Sequence, residues 1–173
     1  PIANGVEELE LVAPVDLLRR AGVEVVIAAL GPDRHVITKN GLLLRADALL
    51  ADVQRGAFDL LFLPGGPHVK ELREDGRSAR LASEFVAAGR PVAAICAAPL
   101  VLADAGLLKG RRFTAHSSVH GDLPGVLPEE RVVEDGPVVT SRGPGTAVEF
   151  GMALVRRLCG ADAARGVADA IMV

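Results

Sequence analysis

One cysteine stands where a strand-like segment meets the start of a helix-like segment. Val92–Ile95 is apolar and leads directly into Cys96, which two alanines and then Pro99 follow. Small neighbours permit the strained backbone of a nucleophile elbow, and the free amides at a helix start favour a thiolate. The pattern therefore predicts a reactive Cys96, and the alternative is an inert cysteine buried in the core. Cys159 lies near the end of an apolar helical segment and is predicted to be unreactive.

Two further strand-like segments end in residues that could do chemistry. Leu60–Leu63 runs into a proline and then Gly65 and Gly66, where the lack of side chains lets backbone amides approach a ligand or a reacting oxygen. A tight turn is the alternative. Arg112–Ala115 leads into His116, which is a candidate general base or orienting partner, or else a histidine of a surface loop.

His116 and His120 have the spacing of two metal ligands on a helix. The glutamate of a zinc protease motif is absent between them, and the sequence indicates no third or fourth ligand. We therefore expect no metal site.

The first helix-like segment carries three glutamates near its start and a proline inside. Pro14 has no amide hydrogen, so the carbonyl of Glu10 loses its helical partner and a kink is expected there. Glu7 and Glu8 are expected to be solvated partners of the helix dipole. Glu10 lies on the same helical stripe as Leu17 and is therefore predicted to face inward.

Strand-like and helix-like segments alternate along the chain, which predicts an α/β fold with a mostly parallel sheet and helices on both faces. In such sheets ligands bind beyond the carboxyl ends of the strands, where the residues above lie. The predicted strands are Val23–Leu30, Leu60–Leu63, Val92–Ile95 and Val138–Thr140. The predicted helices are Glu7–Arg20, Ser78–Ala88, Pro99–Ala105 and Ala147–Cys159, the last ended by Gly160.

Two antiparallel hairpins are predicted as additions to the sheet. His35–Thr38 faces Leu42–Arg45, and Arg131–Glu134 faces Val138–Ser141. There is no internal repeat and no long linker, so residues 1–173 are expected to form a single domain. Because the sequence begins at Pro1 without an initiator methionine, we expect a few residues of an opening strand to be missing.

Composition excludes several classes of partner. The 173 residues include 19 basic and 22 acidic ones, and a formal charge of -3 provides no positive field for nucleic acid. No apolar run approaches the roughly 20 residues that span a bilayer, so we expect a soluble protein with no membrane partner. Two cysteines make no disulfide framework and no secretory segment is evident, which predicts a cytoplasmic location. The absence of Trp and Tyr favours small ligands.

Four motifs, in order over nearly the whole chain, resemble the ThiJ/PfpI superfamily, and more narrowly the branch of the parkinsonism-associated deglycase. They are Gly5–Glu10 with Pro14–Leu17, Leu63–Gly66, Ala93–Pro99 and Thr140–Thr146.

This resemblance implies a flavodoxin-like three-layer sandwich, and a homodimer whose active site lies close to the interface. By position, Cys96 resembles the family's easily oxidised nucleophile, Glu10 the carboxyl group that hydrogen-bonds it, and His116 the nearby histidine. The remaining oxyanion and substrate-binding positions that the resemblance implies are Gly65, Gly66, Ala97, Gly143 and Pro144.

The sequence departs from the family's patterns at informative positions. Protease-like relatives have a histidine directly after the cysteine, and Ala97 stands there, so peptidase or amidase activity is not expected. The downstream His-x-Glu pair of glutamine amidotransferases is also absent. Asn40 aligns with an arginine that flanks the pocket in close relatives, which predicts an altered affinity for anionic ligands.

The function implied by the resemblance is a cofactor-independent glyoxalase or deglycase, a glyoxalase III-type hydro-lyase that acts on methylglyoxal and related 2-oxoaldehydes without metal or glutathione. The alternative is an oxidative-stress sensor or holdase chaperone that is switched by oxidation of Cys96. The two differ in their dependence on His116, because a sensor needs no second proton carrier. A structural protein with a vestigial elbow is the third possibility.

Overall fold

The computed structural model describes residues 1–54, 56 and 58–173, which form α-helices and β-strands joined by turns and short 3-10 helices. The helices are α1 (Glu8–Arg20), α2 (Val69–Asp75), α3 (Arg77–Ala87), α4 (Pro99–Asp104) and α5 (Ala147–Ile171). The strands are β1 (Ala28–Ala29), β2 (His35–Ile37), β3 (Leu43–Arg45), β4 (Ala48–Leu49), β5 (Leu61–Leu63), β6 (Val92–Ile95), β7 (Val132–Asp135) and β8 (Val138–Ser141). In these ranges no helix is long and apolar enough to cross a membrane.

The main sheet has the strand order β5-β6-β8-β7, in which only β7 is antiparallel to its neighbour. Every residue of β6 is buried, because alternate side chains enter cores on opposite faces of the sheet. Val92 and Ala94 pack with α2, α3 and α4, whereas Ala93 and Ile95 pack with α1 and α5. The expected α/β fold with helices on both faces is therefore confirmed.

The first predicted strand is shorter than expected. Within Val23–Leu30, only Ala28–Ala29 enters a ladder, with β4, and Ile2 adds a single parallel bridge to Ala29. In the described part of the chain no strand pairs with Val23–Ile27, which explains the difference. A cavity of about 1080 Å³ lies there instead, lined by Val23–Ala28 on one side and Leu60–Phe62 on the other.

The two predicted hairpins form but end up in different places. β7 and β8 pair antiparallel inside the main sheet, as expected. β2 and β3 also pair antiparallel, with Val36 opposite Leu44, but they make a separate two-stranded sheet, so this hairpin is not an addition to the main sheet.

Helices α1 and α5 pack closely against each other. A side chain on Gly151 of α5 would meet the Leu17 Cδ1 atom at 2.6 Å and the Pro14 Cα atom at 3.0 Å. α1 is a continuous helix through Pro14. At Gly160 the backbone leaves the helical conformation, with φ +88° and ψ 172°, so the helix that begins at Ala147 ends there as predicted. A second helical segment follows and reaches Ile171.

The opening strand stays a prediction, and the cavity provides its test. A six-residue extension of Val, Ile and Leu joined to Pro1 should fill the space beside Val23–Ile27, pair with an open strand edge and bury apolar surface. We expect thermal unfolding to shift upward by about 5 °C or more. An extension with proline at alternate positions cannot complete a ladder and serves as the control. Equal shifts for both extensions would contradict the predicted strand.

Candidate active site

The candidate nucleophile lies at a strained turn between β6 and α4. Cys96 has φ +66°, a conformation that costs a residue with a side chain about 1–2 kcal/mol. Its amide donates to the Ser141 carbonyl at 2.9 Å, and its carbonyl accepts from the His116 amide at 2.9 Å. These two hydrogen bonds hold the strained backbone and keep the thiol at the carboxyl end of β6.

Glu10 places a carboxyl group beside this thiol. The residue lies in the first turn of α1 and is fully buried, so it faces inward as its helical position predicts. Among the described residues, neither carboxyl oxygen has a partner at full hydrogen-bonding geometry. The groups that approach the carboxyl are the Cys96 thiol and the Gly65 amide. The carboxyl therefore has unused hydrogen-bonding capacity directly beside the sulfur.

Burial raises the pKa of Glu10 to about 7. The charge of Glu7 raises this pKa further, whereas the Cys96 thiol, the Gly65 amide and the charge of Lys39 lower it. Glu10 therefore titrates in the neutral range, where a general acid–base group is most effective.

Burial also raises the pKa of the Cys96 thiol, and the charge of Glu10 raises it further. The amides of Ala97 and Gly66 lower it. The sequence predicts that helix-start amides favour the thiolate; these amides do lower the pKa of the thiol, but burial and the adjacent charge raise it overall. The pair keeps at least one proton at neutral pH, and a thiolate forms when that proton lies on Glu10.

The two glycines after β5 leave room for this pair. A side chain on Gly65 would collide with the Glu10 carboxyl and would lie 2.6 Å from the Cys96 Cβ atom. Gly66 has φ +108°, and a Cβ atom there would lie 2.6 Å from the Glu7 nitrogen. The turn can therefore sit against both α1 and the cysteine only because both residues lack side chains.

His116 reaches the site mainly through its backbone. Its Nδ1 accepts from the Ser118 amide at 3.2 Å and lies 2.9 Å from the Ser118 hydroxyl, so the neutral ring carries its proton on Nε2. In the described part of the chain, the ring makes no hydrogen bond to Glu10 or Cys96. A side chain on Gly143 would lie 3.1 Å from the His116 ring, which places these two residues against each other.

The expected pocket wall at Gly143 and Pro144 is a short turn that Thr146 holds. The Thr146 hydroxyl donates to the Gly143 carbonyl at 2.8 Å and accepts from the Gly143 amide at 3.2 Å. It also lies 2.6 Å from the Ser141 hydroxyl at the end of β8. The structure thus joins Cys96, Glu10 and the glycine turn directly, and it places His116 with Gly143.

The expectation for Glu7 and Glu8 is wrong, because both are buried. Glu7 caps α1 by accepting from the Glu10 amide at 2.9 Å. Glu8 accepts from the Thr38 hydroxyl and from the backbone and side-chain nitrogens of Asn40, at 2.7 and 2.9 Å for the latter two. Burial alone would raise the pKa of Glu8, but these hydrogen bonds lower it overall. Asn40 is therefore bonded to Glu8.

Comparison with known proteins gives consistent matches over most of the chain. A family model described as the DJ-1/PfpI family matches residues 1–157. Protein DJ-1 homolog B of Arabidopsis thaliana is 38% identical over 100% of this chain, which spans 40% of the length of that protein. Deglycase PfpI of Pyrococcus furiosus is 37% identical over 83% of this chain and 87% of its own length. The crystal structure of Drosophila melanogaster DJ-1beta has a TM-score of 0.95 at 35% identity, covering 99% of this chain and 95% of that chain.

The shared protons of Glu10 and Cys96 predict a pH profile for alkylation of the thiol. Iodoacetamide reacts with the thiolate, so the rate at Cys96 should rise with pH and level off near pH 7, where the pair loses its first proton. A second rise should follow at much higher pH, when the other proton leaves. Glu10→Gln should show one step only.

The profile is measured by mass spectrometry of the peptide that contains Cys96. Glu129→Gln, which changes an exposed carboxylate, is the matched control and should keep both steps. The pH at which the rate first levels off is called the break. A break near pH 7 that persists in folded Glu10→Gln would exclude Glu10 as its source.

Proposed function

This chain belongs to the DJ-1/PfpI family, and on that premise we propose that it is a cofactor-independent glyoxalase or deglycase acting on methylglyoxal and related 2-oxoaldehydes. The observation that carries the proposal is the buried Glu10 carboxyl, which titrates near neutral pH beside the Cys96 thiol. The relative named Deglycase PfpI supports the same class of activity.

The first step is addition of the thiol to the aldehyde. With the shared proton on Glu10, the Cys96 thiolate attacks the aldehyde carbon, a carbon–sulfur bond forms and the carbonyl electron pair moves to oxygen. The amides of Gly66 and Ala97, which already lower the pKa of the thiol, stabilise this oxyanion. Transfer of the proton from Glu10 to the oxygen gives a hemithioacetal and leaves Glu10 ionised.

The second step moves a proton between adjacent carbons. Glu10 removes the proton from the former aldehyde carbon, the neighbouring carbonyl becomes part of an enediol, and a proton returns to the second carbon. His116 assists as the second proton carrier. The product is a thioester of a 2-hydroxy acid, which water hydrolyses to release the acid and restore the thiol. The overall conversion of the 2-oxoaldehyde to the 2-hydroxy acid consumes one water molecule and requires neither metal nor glutathione.

A sensor or holdase of oxidative stress is the second candidate, and the position of the His116 ring favours it. In the described part of the chain this ring bonds Ser118 and makes no hydrogen bond to Cys96 or Glu10. Oxidation of Cys96 to a sulfinate needs the thiolate and an oxidant but no second proton carrier. Loss of His116 should therefore leave a sensor unchanged and slow an enzyme.

Turnover of methylglyoxal to lactate by the purified protein tests the proposed enzyme. Cys96→Ser should abolish measurable turnover, and Glu10→Gln should reduce it about a hundredfold, which is typical of a positioned acid–base group. His116→Ala should cost less, because Glu10 remains.

The matched control is Cys159→Ser, because Cys159 is the other, exposed thiol and should leave the rate unchanged. Wild-type turnover in folded Glu10→Gln would rule out the assigned acid–base role. Peroxide oxidation of Cys96 without any turnover in the wild type would favour the sensor.

We also propose a homodimer with the active site close to its interface. Leu9 and Val12 are 58% and 48% exposed on α1, and Val148 is 44% exposed at the start of α5, which packs against α1. Leu42 and Leu43, in and beside the separate β2–β3 hairpin, are also exposed. A second copy of this chain would cover this apolar surface, and Leu9 directly precedes Glu10.

Light scattering should therefore report a mass near twice 18.0 kDa at micromolar concentration. Leu9→Asp combined with Val12→Asp places charges in the proposed interface and should give a monomer. Met172→Asp changes another exposed apolar residue, at the end of α5, and should leave the dimer intact. A monomeric wild type would contradict the proposal.

A further inference from the structure

We infer that His68 is a positioning residue for the active site: by holding the Pro64 carbonyl, it turns the Gly65 amide toward Glu10. The inference rests on the proposed function, because it assigns a source of control to the same acid–base pair. Sequence patterns give no indication of this residue, which lies between the glycine turn and α2.

The His68 ring is fully buried and bonds the backbone of two different segments. Its Nδ1 accepts from the Ala3 amide at 3.2 Å, so the proton of the neutral ring lies on Nε2. Nε2 then donates to the Pro64 carbonyl at 3.0 Å. Burial lowers the pKa of His68 to about 4, which keeps the ring neutral and this arrangement intact at physiological pH.

The bond to Pro64 sets the direction of the next amide. A trans peptide is planar, with its carbonyl and N–H on opposite sides, and the described residues contain no cis peptide bond. When the Pro64 carbonyl points to His68, the Gly65 N–H must point away from it. That N–H is the backbone group that approaches the Glu10 carboxyl and lowers its pKa. His68 therefore acts on Glu10 through one rigid peptide unit.

The following peptide is held in the same way, by a backbone amide, and the His68 ring also approaches the Gly65 backbone. The Gly65 carbonyl accepts from the Glu7 amide at 3.0 Å, and the Gly66 N–H of that peptide lies near the Cys96 thiol. Two successive carbonyls thus point away from the site while their amides point into it. The Pro64 carbonyl is held by a side chain, that of His68, and a substitution can remove this hydrogen bond. A substitution does not remove the backbone amide of Glu7.

The same ring ties the element that carries Glu10 to the glycine turn. The Ala3 amide belongs to the segment that leads into α1, and the His68 amide also donates to the Gly5 carbonyl of that segment at 3.4 Å. His68 therefore fixes the segment that leads to Glu10 and the turn that contains Gly65 relative to each other. Glycine alone would leave the Pro64–Gly65 peptide free to rotate.

The test is the pH profile of alkylation at Cys96, which needs no turnover. In His68→Leu the Gly65 amide is no longer held, so the pKa of Glu10 should rise and the break near pH 7 should move up by about one unit. Gln places a donor near the position of Nε2, so His68→Gln should restore the break. Asn reaches only the position of Nδ1, so His68→Asn should remain shifted. The charges of Glu7 and Lys39, which also act on Glu10, stay unchanged in all three variants.

His120→Leu is the matched control. His120 also lies beside a backbone carbonyl, that of Ala115 at 3.1 Å, but it does not bond the glycine turn. Its loss should leave the break in place. If methylglyoxal is turned over and ionised Glu10 removes the carbon-bound proton, kcat at pH 7 should fall about fivefold in His68→Leu, because a pKa one unit higher lowers the ionised fraction of Glu10 by that factor, while KM stays within twofold.

Two outcomes overturn the inference. One is a folded His68→Leu with the break at its wild-type pH. The other is an equal shift in His68→Gln and His68→Asn, which decides the question even if His68→Leu does not fold. Absence of turnover in every variant would count against the proposed enzyme and leave the alkylation result intact as a test of His68.

Discussion

Glu10 and Cys96 are two acidic groups placed side by side where water is largely excluded, and they cannot both carry charge at neutral pH. This constraint determines what the surrounding elements must provide. β6 has to end in a strained turn that brings the thiol to the edge of the sheet. α1 has to direct a carboxyl group inward at its first turn, and the residue after Pro64 must lack a side chain, because any Cβ atom would collide with both groups.

Strands that are buried on both faces are predicted well from the sequence, because a short apolar run between turn residues is compatible with few other structures. β6 has the predicted bounds, Val92–Ile95, for this reason. Val23–Leu30 has the same character, but a ladder also needs a neighbouring strand, and local sequence carries no information about that neighbour. The glycine stop at Gly160 is a local signal and ends the helix that begins at Ala147, as predicted. The helical segment after it buries Val167 against the core, and a local stop signal does not indicate such a continuation.

The residues of the candidate site also fall into those that local sequence signals predict and those that they do not. Cys96, Glu10 and the glycine turn follow from strand ends and helical period, both of which are local signals. Glu8 is buried because Thr38 and Asn40 bond it from 30 and 32 residues away, and no spacing rule reveals such partners. His68 escapes detection for a related reason, since its partners are main-chain groups that any residue type would offer.

The unused bonding capacity of Glu10 connects the structure to the proposed reaction. A buried acceptor without a partner costs about 1–3 kcal/mol, and in the free protein neither Glu10 oxygen has a partner of full geometry among the described residues. The hydroxyl of a hemithioacetal on Cys96 would supply the missing donor beside that carboxyl. The interaction would then be made in the intermediate and be absent from the free protein. An enzyme lowers its barrier through interactions of this kind, because an interaction that is equally strong in the ground state and in the transition state does not raise the rate of the chemical step. A sensor would use the same carboxyl only to hold the proton that the thiol gives up, and it has no substrate hydroxyl to pair with the free oxygen. The unpaired acceptor, which weakens the fold, therefore favours the enzyme.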